Sequence, residues 1–275
     1  MNLPFRSVCS SIALLLFCIP LVGQAQSPTE NTQALTDTIT TKFAIADKIQ
    51  EAPQDLYLQF EQNPLNLSPE KNEEILTHFS EAYKTNLLVD DFKTALQKKL
   101  IGEFVDAVSQ QLGTQAFQSV TQAQQEFYTL QGKRKRIVTK YELEKDPPSA
   151  GRTSLIQTLV DTTSLASESI ESSIIILRPL LTALMKESQQ RTFSEAQLDA
   201  ITSNFRAQMQ SQASEQTLND LLITFYNIDN KTLNEYLSFM QSPSGQWLDQ
   251  TISASIQEAY QQASDRFSAS VNSDQ

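Results

Sequence analysis

The chain has 275 residues but only two cysteines, one histidine, one tryptophan and six glycines. Both cysteines, Cys9 and Cys18, sit in an apolar amino-terminal segment. From residue 26 onward there is no thiol, which excludes disulfides, thiolate nucleophiles and cysteine-ligated metals there. The lone histidine, His78, leaves no second Glu-x-x-His for a helix-bundle dimetal site, and a Ser-His-Asp triad would have to use it. Nucleophile-elbow, phosphate-loop, zinc-ligand and calcium-loop spacings are all missing. Past the amino terminus the best apolar run, IIILRPLLTALM from Ile174 to Met185, contains Arg178 and Pro179 and is too short to cross a bilayer. Basic residues are outnumbered, 21 Lys and Arg against 32 Asp and Glu, for a net charge of −11. Such a chain should stay soluble and should not bind nucleic acid or anionic lipid non-specifically.

What is present begins with an export signal. MNLPFR carries one positive charge, SIALLLFCIPLV is apolar, and small Gly23 and Ala25 precede a cut expected after Ala25. A lipoprotein reading competes through Leu15-Leu16-Phe17-Cys18. Phe17 is too large for the residue before a lipidated cysteine, and the apolar core would be cut short. The expectation is a periplasmic or secreted protein.

Scarce glycine, proline at segment edges and abundant Gln, Ala, Leu, Ser and Glu argue for helices. The periodicity agrees. Leu218, Leu221, Leu222 and Phe225 fall at i, i+3, i+4 and i+7, as do Leu233, Tyr236, Leu237 and Met240. Ile75, Phe79 and Tyr83, then Phe92, Leu96 and Leu100, then Leu155, Ile156, Leu159 and Val160 repeat the pattern less cleanly. No run alternates like a strand, so the fold class is all-α, a helical bundle. Ser194 and Gln197 form a capping box with Phe193 and Leu198 as staple, Asp229 caps a helix stapled by Ile228 and Leu233, and Ser68-Pro69-Glu70 opens another. In SFMQSPSGQWLDQ, Ser242 reads as an N-cap with Pro243 at the first helical position, so Ser-Pro-Ser-Gly is the joint of a helical hairpin. Gly245 in that first turn predicts a close backbone contact with a neighbouring helix. Trp247 reads as a core anchor near the corner, with a ligand platform as the alternative.

The two halves look related. Ser68, Ile75, Phe79, Phe92, Leu96 and Leu100 align at one offset with Ser194, Ile201, Phe205, Leu218, Leu222 and Tyr226, and, with a small insertion, Phe117 and Tyr128 match Trp247 and Tyr260. The expected organisation is a signal peptide at 1–25, an N-terminal helical half at 26–131, a basic linker or helix extension at 132–151, a C-terminal helical domain at 152–268 and a tail at 269–275. Seven basic residues fall between Gly132 and Arg152. Lys133, Arg134, Lys135 and Arg136 are a candidate docking patch for an anionic partner such as phospholipid headgroups, lipopolysaccharide or an acidic protein. The bland alternative is a solvated helix balanced by Glu142, Glu144 and Asp146.

Ile223-Thr224-Phe225-Tyr226, followed by Leu233-Asn234-Glu235-Tyr236-Leu237-Ser238-Phe239-Met240-Gln241-Ser242-Pro243-Ser244-Gly245-Gln246, resembles the helical domain of unknown function found in small exported bacterial proteins. That family's helix ends in an aromatic pair before Ser-Pro-x-Gly; here the pair is Phe239-Met240. Arg152 to Val160 is similar to its opening helix, so the resemblance spans Arg152 to Phe267. It implies an exported helical domain with no catalytic residues to carry over.

Two constellations have the form of chemical sites. Glu74, His78 and Glu81 share one helix side, against the plainer reading of a boundary histidine among solvated acids. Asp90-Asp91 is a carboxylate pair of the sort a glycosidase needs, but acids are too common here for one pair to stand out. The leading expectation is a non-enzymatic binding or interaction protein of the envelope, without a cofactor, whose partner is an envelope protein or an amphipathic ligand. Its candidate surface is Ile174, Ile175, Ile176, Leu177 and Pro179, with Trp247, because a run apolar on all sides must be covered by something; Pro179 should kink or divide that helix. A lipid carrier and a metal-independent hydrolase of cell-wall or sugar substrates are the alternatives.

Overall fold

The computed structural model describes residues 30–62, 67–189 and 194–273, so the expected signal peptide and Phe193 lie outside the described residues. Within them the chain forms twelve helices and no strand. The first half supplies α1 (Glu30–Lys42), α2 (Ile45–Gln62), α3 (Pro69–Ala82), α4 (Thr85–Lys99), α5 (Val105–Leu112) and α6 (Gln115–Tyr128). A basic helix, α7 (Leu130–Lys145), joins it to α8 (Ala150–Thr162), α9 (Leu165–Gln189), α10 (Glu195–Thr224), α11 (Asn230–Met240) and α12 (Pro243–Ser273). The stretch expected as a basic linker or helix extension is helical from Leu130 to Lys145, and the expected tail is the end of α12 through Ser273.

Helix starts follow local side-chain chemistry. Ser194 Oγ accepts from the Gln197 amide at 3.3 Å while Gln197 Oε1 accepts from the Ser194 amide at 2.9 Å. Ser68, Asp229 and Ser242 cap α3, α11 and α12 one way, each side-chain oxygen accepting from the amide three residues on. Gly245 is required by packing: a Cβ there would lie 2.0 Å from the Phe239 carbonyl oxygen, so the end of α11 presses on the first turn of α12. Trp247 is half-buried, with its ring 6.0 Å from that of Phe104.

One hydrophobic core takes residues from both halves, from Leu35 to Phe267. The α12 helix runs through it, packed on α3, α4, α9 and α11. Phe79 meets Phe267 edge-on at 5.8 Å, and Phe117 gathers Phe43, Tyr236 and Phe239 around it.

Two helices carry an internal proline, and α12 compensates both. Proline removes the amide that would bond the carbonyl four residues earlier. Pro53 in α2 frees the Ile49 carbonyl, which accepts from the Tyr260 hydroxyl at 2.8 Å. Pro179 in α9 frees the Ile175 carbonyl, which accepts from Ser264 Oγ at 3.0 Å. The Ser264 proton being spent there, the Tyr83 hydroxyl donates to Ser264 Oγ at 2.6 Å. Pro179 therefore does not divide the helix as expected: α9 continues from Leu165 to Gln189.

Polar links finish the assembly. Lys48 of α2 pairs with buried Glu168 of α9 at 2.9 Å. Asp249 of α12 accepts from the Ser164 amide at 2.8 Å, just before α9, and burial pushes its carboxyl above the usual range. Arg266 of α12 bonds Asp91 at 2.6 Å and donates to the Ala82 carbonyl at the end of α3.

Candidate functional site: the outward face of α7

Thr129 Oγ1 caps α7 by accepting from the Gly132 amide at 2.9 Å. A Cβ at Gly132 would stand 1.8 Å from the Glu126 carbonyl oxygen, so only glycine lets the chain leave α6 and fold back this tightly. Lysines and arginines, good helix formers, then carry the helix to Asp146 and Pro147-Pro148. The helix rests on α6 and on α10, and only Gly132 and Thr139 are buried.

The other side of α7 is unusual. Leu130 is 81% exposed, Ile137 74%, Tyr141 66% and Val138 57%, four of the seven large hydrophobics exposed among the described residues. At 100° per residue Leu130, Ile137 and Tyr141 fall on one line with Val138 beside it. Lys133 and Lys140 flank that line on one side, Arg134 and Lys145 on the other. All four are exposed and pair with no carboxylate among the described residues. Glu144 is the one acid on this face.

Helical geometry therefore splits the four-residue basic patch expected from sequence. Lys133 and Arg134 face outward, but Lys135 pairs with Glu126 at 3.0 Å and Arg136 places its guanidinium 4.0 Å over the Phe127 ring. Arg136 also serves two acids in a cleft beneath α7. Burial raises the carboxyls of Glu51 and Asp220, and the Arg136 charge pulls both back down. Glu51 keeps contact with water, so the crowding is that of a cleft wall. The Tyr128 hydroxyl is pushed up by burial and by these acids. An open hollow of about 240 Å³ lies between α6, α7 and the turn after α10, with Gln122, Glu126, Thr139, Tyr226 and Ile228 on its walls.

The remaining candidates are occupied inside the fold. Ile174 is buried between α9 and α10 with Ile170, Ala213, Phe205 and Met209. Ile176 is fully buried and Ile175 packs on the main core, while Leu177 and Pro179 are half-buried. The apolar run expected as a partner surface is thus covered by the chain itself, because α9 is sandwiched between α10 on one side and α2 and α12 on the other. Glu74 pairs with Lys71 at 3.1 Å and Glu81 with Lys84, so the acids around His78 turn to lysines one helical turn away. Asp91 is held by Arg266 and is a structural ion. No cluster of three potential metal ligands forms among the described residues, and no helix there is long and apolar enough to cross a membrane.

Sequence reasoning noticed the basic run and missed the hydrophobics between its charges. The signal was available in the helical spacing of Leu130, Ile137 and Tyr141 once the segment is read as a helix. Comparison with protein-family models, curated proteins and solved structures finds no match to this chain.

Proposed function

We propose that this is a non-enzymatic interaction protein of the bacterial envelope, exported by its amino-terminal signal, with the outward face of α7 as its contact element. One observation carries the reading: four large apolar side chains stand in water on a single helix and contribute nothing to the core. Isolated exposed hydrophobics are ordinary, but four on one side of a single helix, set among basic residues, mark a binding surface. A lipid carrier is less well supported, since the two hollows, about 240 Å³ beside α7 and about 500 Å³ between α2 and α3, are open to solvent, and Glu61, Asn72 and Glu73 stand among the walls of the larger. The resemblance of Arg152 to Phe267 to an exported helical domain belongs to the same proposal. So does an origin by tandem duplication, supported by internal prolines, Pro53 and Pro179, at the same offset as Ser68 and Ser194.

The test is a photo-reactive benzophenone side chain introduced at Ile137 in cells that make the full chain, with Glu235 on α11 as the control site. Illumination should yield an adduct at position 137 that is lost with Arg134→Glu. Equal labelling from both positions, or none from 137, overturns the reading.

A further inference from the structure

The α7 face also has the chemistry of one kind of partner. We infer that α7 docks in the plane of an anionic phospholipid bilayer, an inference that rests on the interaction reading above. A helix that lies in a membrane interface presents an apolar line to the acyl boundary and places lysines and arginines along both margins, where their stems cross the apolar zone and their charges meet headgroup phosphates. In α7 the line is Leu130, Ile137 and Tyr141, with Lys133 and Lys140 on one margin and Arg134 and Lys145 on the other.

Charge gives the docking a direction. The helix holds six basic and two acidic residues, whereas the rest of the chain holds fifteen and thirty. An anionic surface repels the body of the protein and attracts only this arm. A second copy is a poor occupant, because two such faces would oppose their cations. A purely acidic protein would pair with the lysines and arginines but leave no role for the apolar line. Nucleic acid meets the same objection together with the repulsion of the body. Overall acidity thus argues against non-specific lipid binding, as expected from sequence, and leaves one locally basic face for specific docking.

The experiment is co-sedimentation of the full chain with vesicles of equal parts phosphatidylglycerol and phosphatidylcholine, compared with phosphatidylcholine alone. The wild type should pellet only with the anionic vesicles and be released as salt rises. Ile137→Glu should weaken binding at least about tenfold, since it replaces a buried apolar contact with a charge of the membrane's own sign. The pair Lys133→Glu and Arg134→Glu should do so as well, with about 1 kcal/mol, or roughly fivefold, for each basic charge lost. Lys231→Glu on α11 makes one such charge reversal elsewhere and should pellet as wild type. These positions are exposed, so unaltered thermal melting can accompany each variant.

Failure of the wild type to pellet, equal pelleting with both vesicles, or variants that bind like wild type overturns the inference. A protein adduct from position 137 without vesicle binding removes the lipid and leaves the interaction reading standing. Absence of both removes both.

Discussion

The α12 and α7 helices invert each other. Twelve of the thirty-one residues of α12 are buried, against two of the sixteen in α7. The polar groups of α12 turn inward: Tyr260 and Ser264, one turn apart, end on the two carbonyls that prolines left open. The apolar groups of α7 turn outward and end on nothing in the fold. Buried polar and exposed apolar side chains are the informative departures from the usual pattern. In α12 the departure is accounted for within the molecule, because an unbonded buried carbonyl would cost more than the hydroxyl that reaches it. In α7 it is not, and that difference is what the proposed contact rests on.

The comparison breaks most sharply at glycines. Gly245→Ala forces a Cβ to within 2.0 Å of the Phe239 carbonyl and should separate α11 from α12, costing about 3 kcal/mol or more in urea unfolding. Gly151→Ala in α8 meets nothing within 4 Å and should instead stabilise by about 0.4–1 kcal/mol. If both cost the same, the α11–α12 corner is not the tight contact described.

The hydroxyl links come next. Tyr260→Phe leaves the Ile49 carbonyl without its donor and should cost about 1–3 kcal/mol, and Ser264→Ala about the same. The first has a specific rescue. In the Pro53→Ala background residue 53 regains an amide that can bond Ile49, so the cost of Tyr260→Phe should shrink. A double-mutant cycle measures that coupling, and strict additivity would show that proline compensation is not what Tyr260 does.

How much of this was readable beforehand depended on the range of the cause. Ser194, Asp229 and Ser242 act within three residues of themselves, and their caps were legible. So was the close approach at Gly245, whose partner is on the preceding helix. Tyr260 and Ile49 lie 211 residues apart, and no local pattern announces that pairing. The Ile174–Leu177 run showed that something must cover it but not that α10, α2 and α12 would. For α7, periodicity defines the two faces, while tertiary packing alone decides which one meets water. That choice turned Arg136 inward and Ile137 outward.

The acids beneath α7 supply a pH-dependent test. Burial raises the Asp220 carboxyl, so its contribution to stability is greatest below the ordinary Asp range and is lost as pH rises through the raised value and the group ionises in the cleft. Asp220→Asn removes that loss. The variant should melt at a higher temperature than wild type at pH 7, with the gap closing below about pH 4. A gap of the opposite sign at pH 7 would mean that Arg136 outweighs burial and that the cleft is an ion pair in effect.

The smallest expected effect separates the two helices most cleanly. Replacing Leu130, Ile137 and Tyr141 together by serine removes three large apolar side chains, which in α12 would cost several kcal/mol. In α7 these side chains already stand in water, so folding gains little from them, and each surface change is worth no more than about 0.5 kcal/mol. Urea unfolding of the triple variant should therefore sit close to wild type, with an unchanged denaturant slope. A large loss of stability would instead show that α7 packs more deeply than its outward face allows. Near-neutrality has a sharper consequence: side chains that folding does not use, held in line on a capped helix and flanked by cations with no ion-pair partner among the described residues, are what the proposed contact requires.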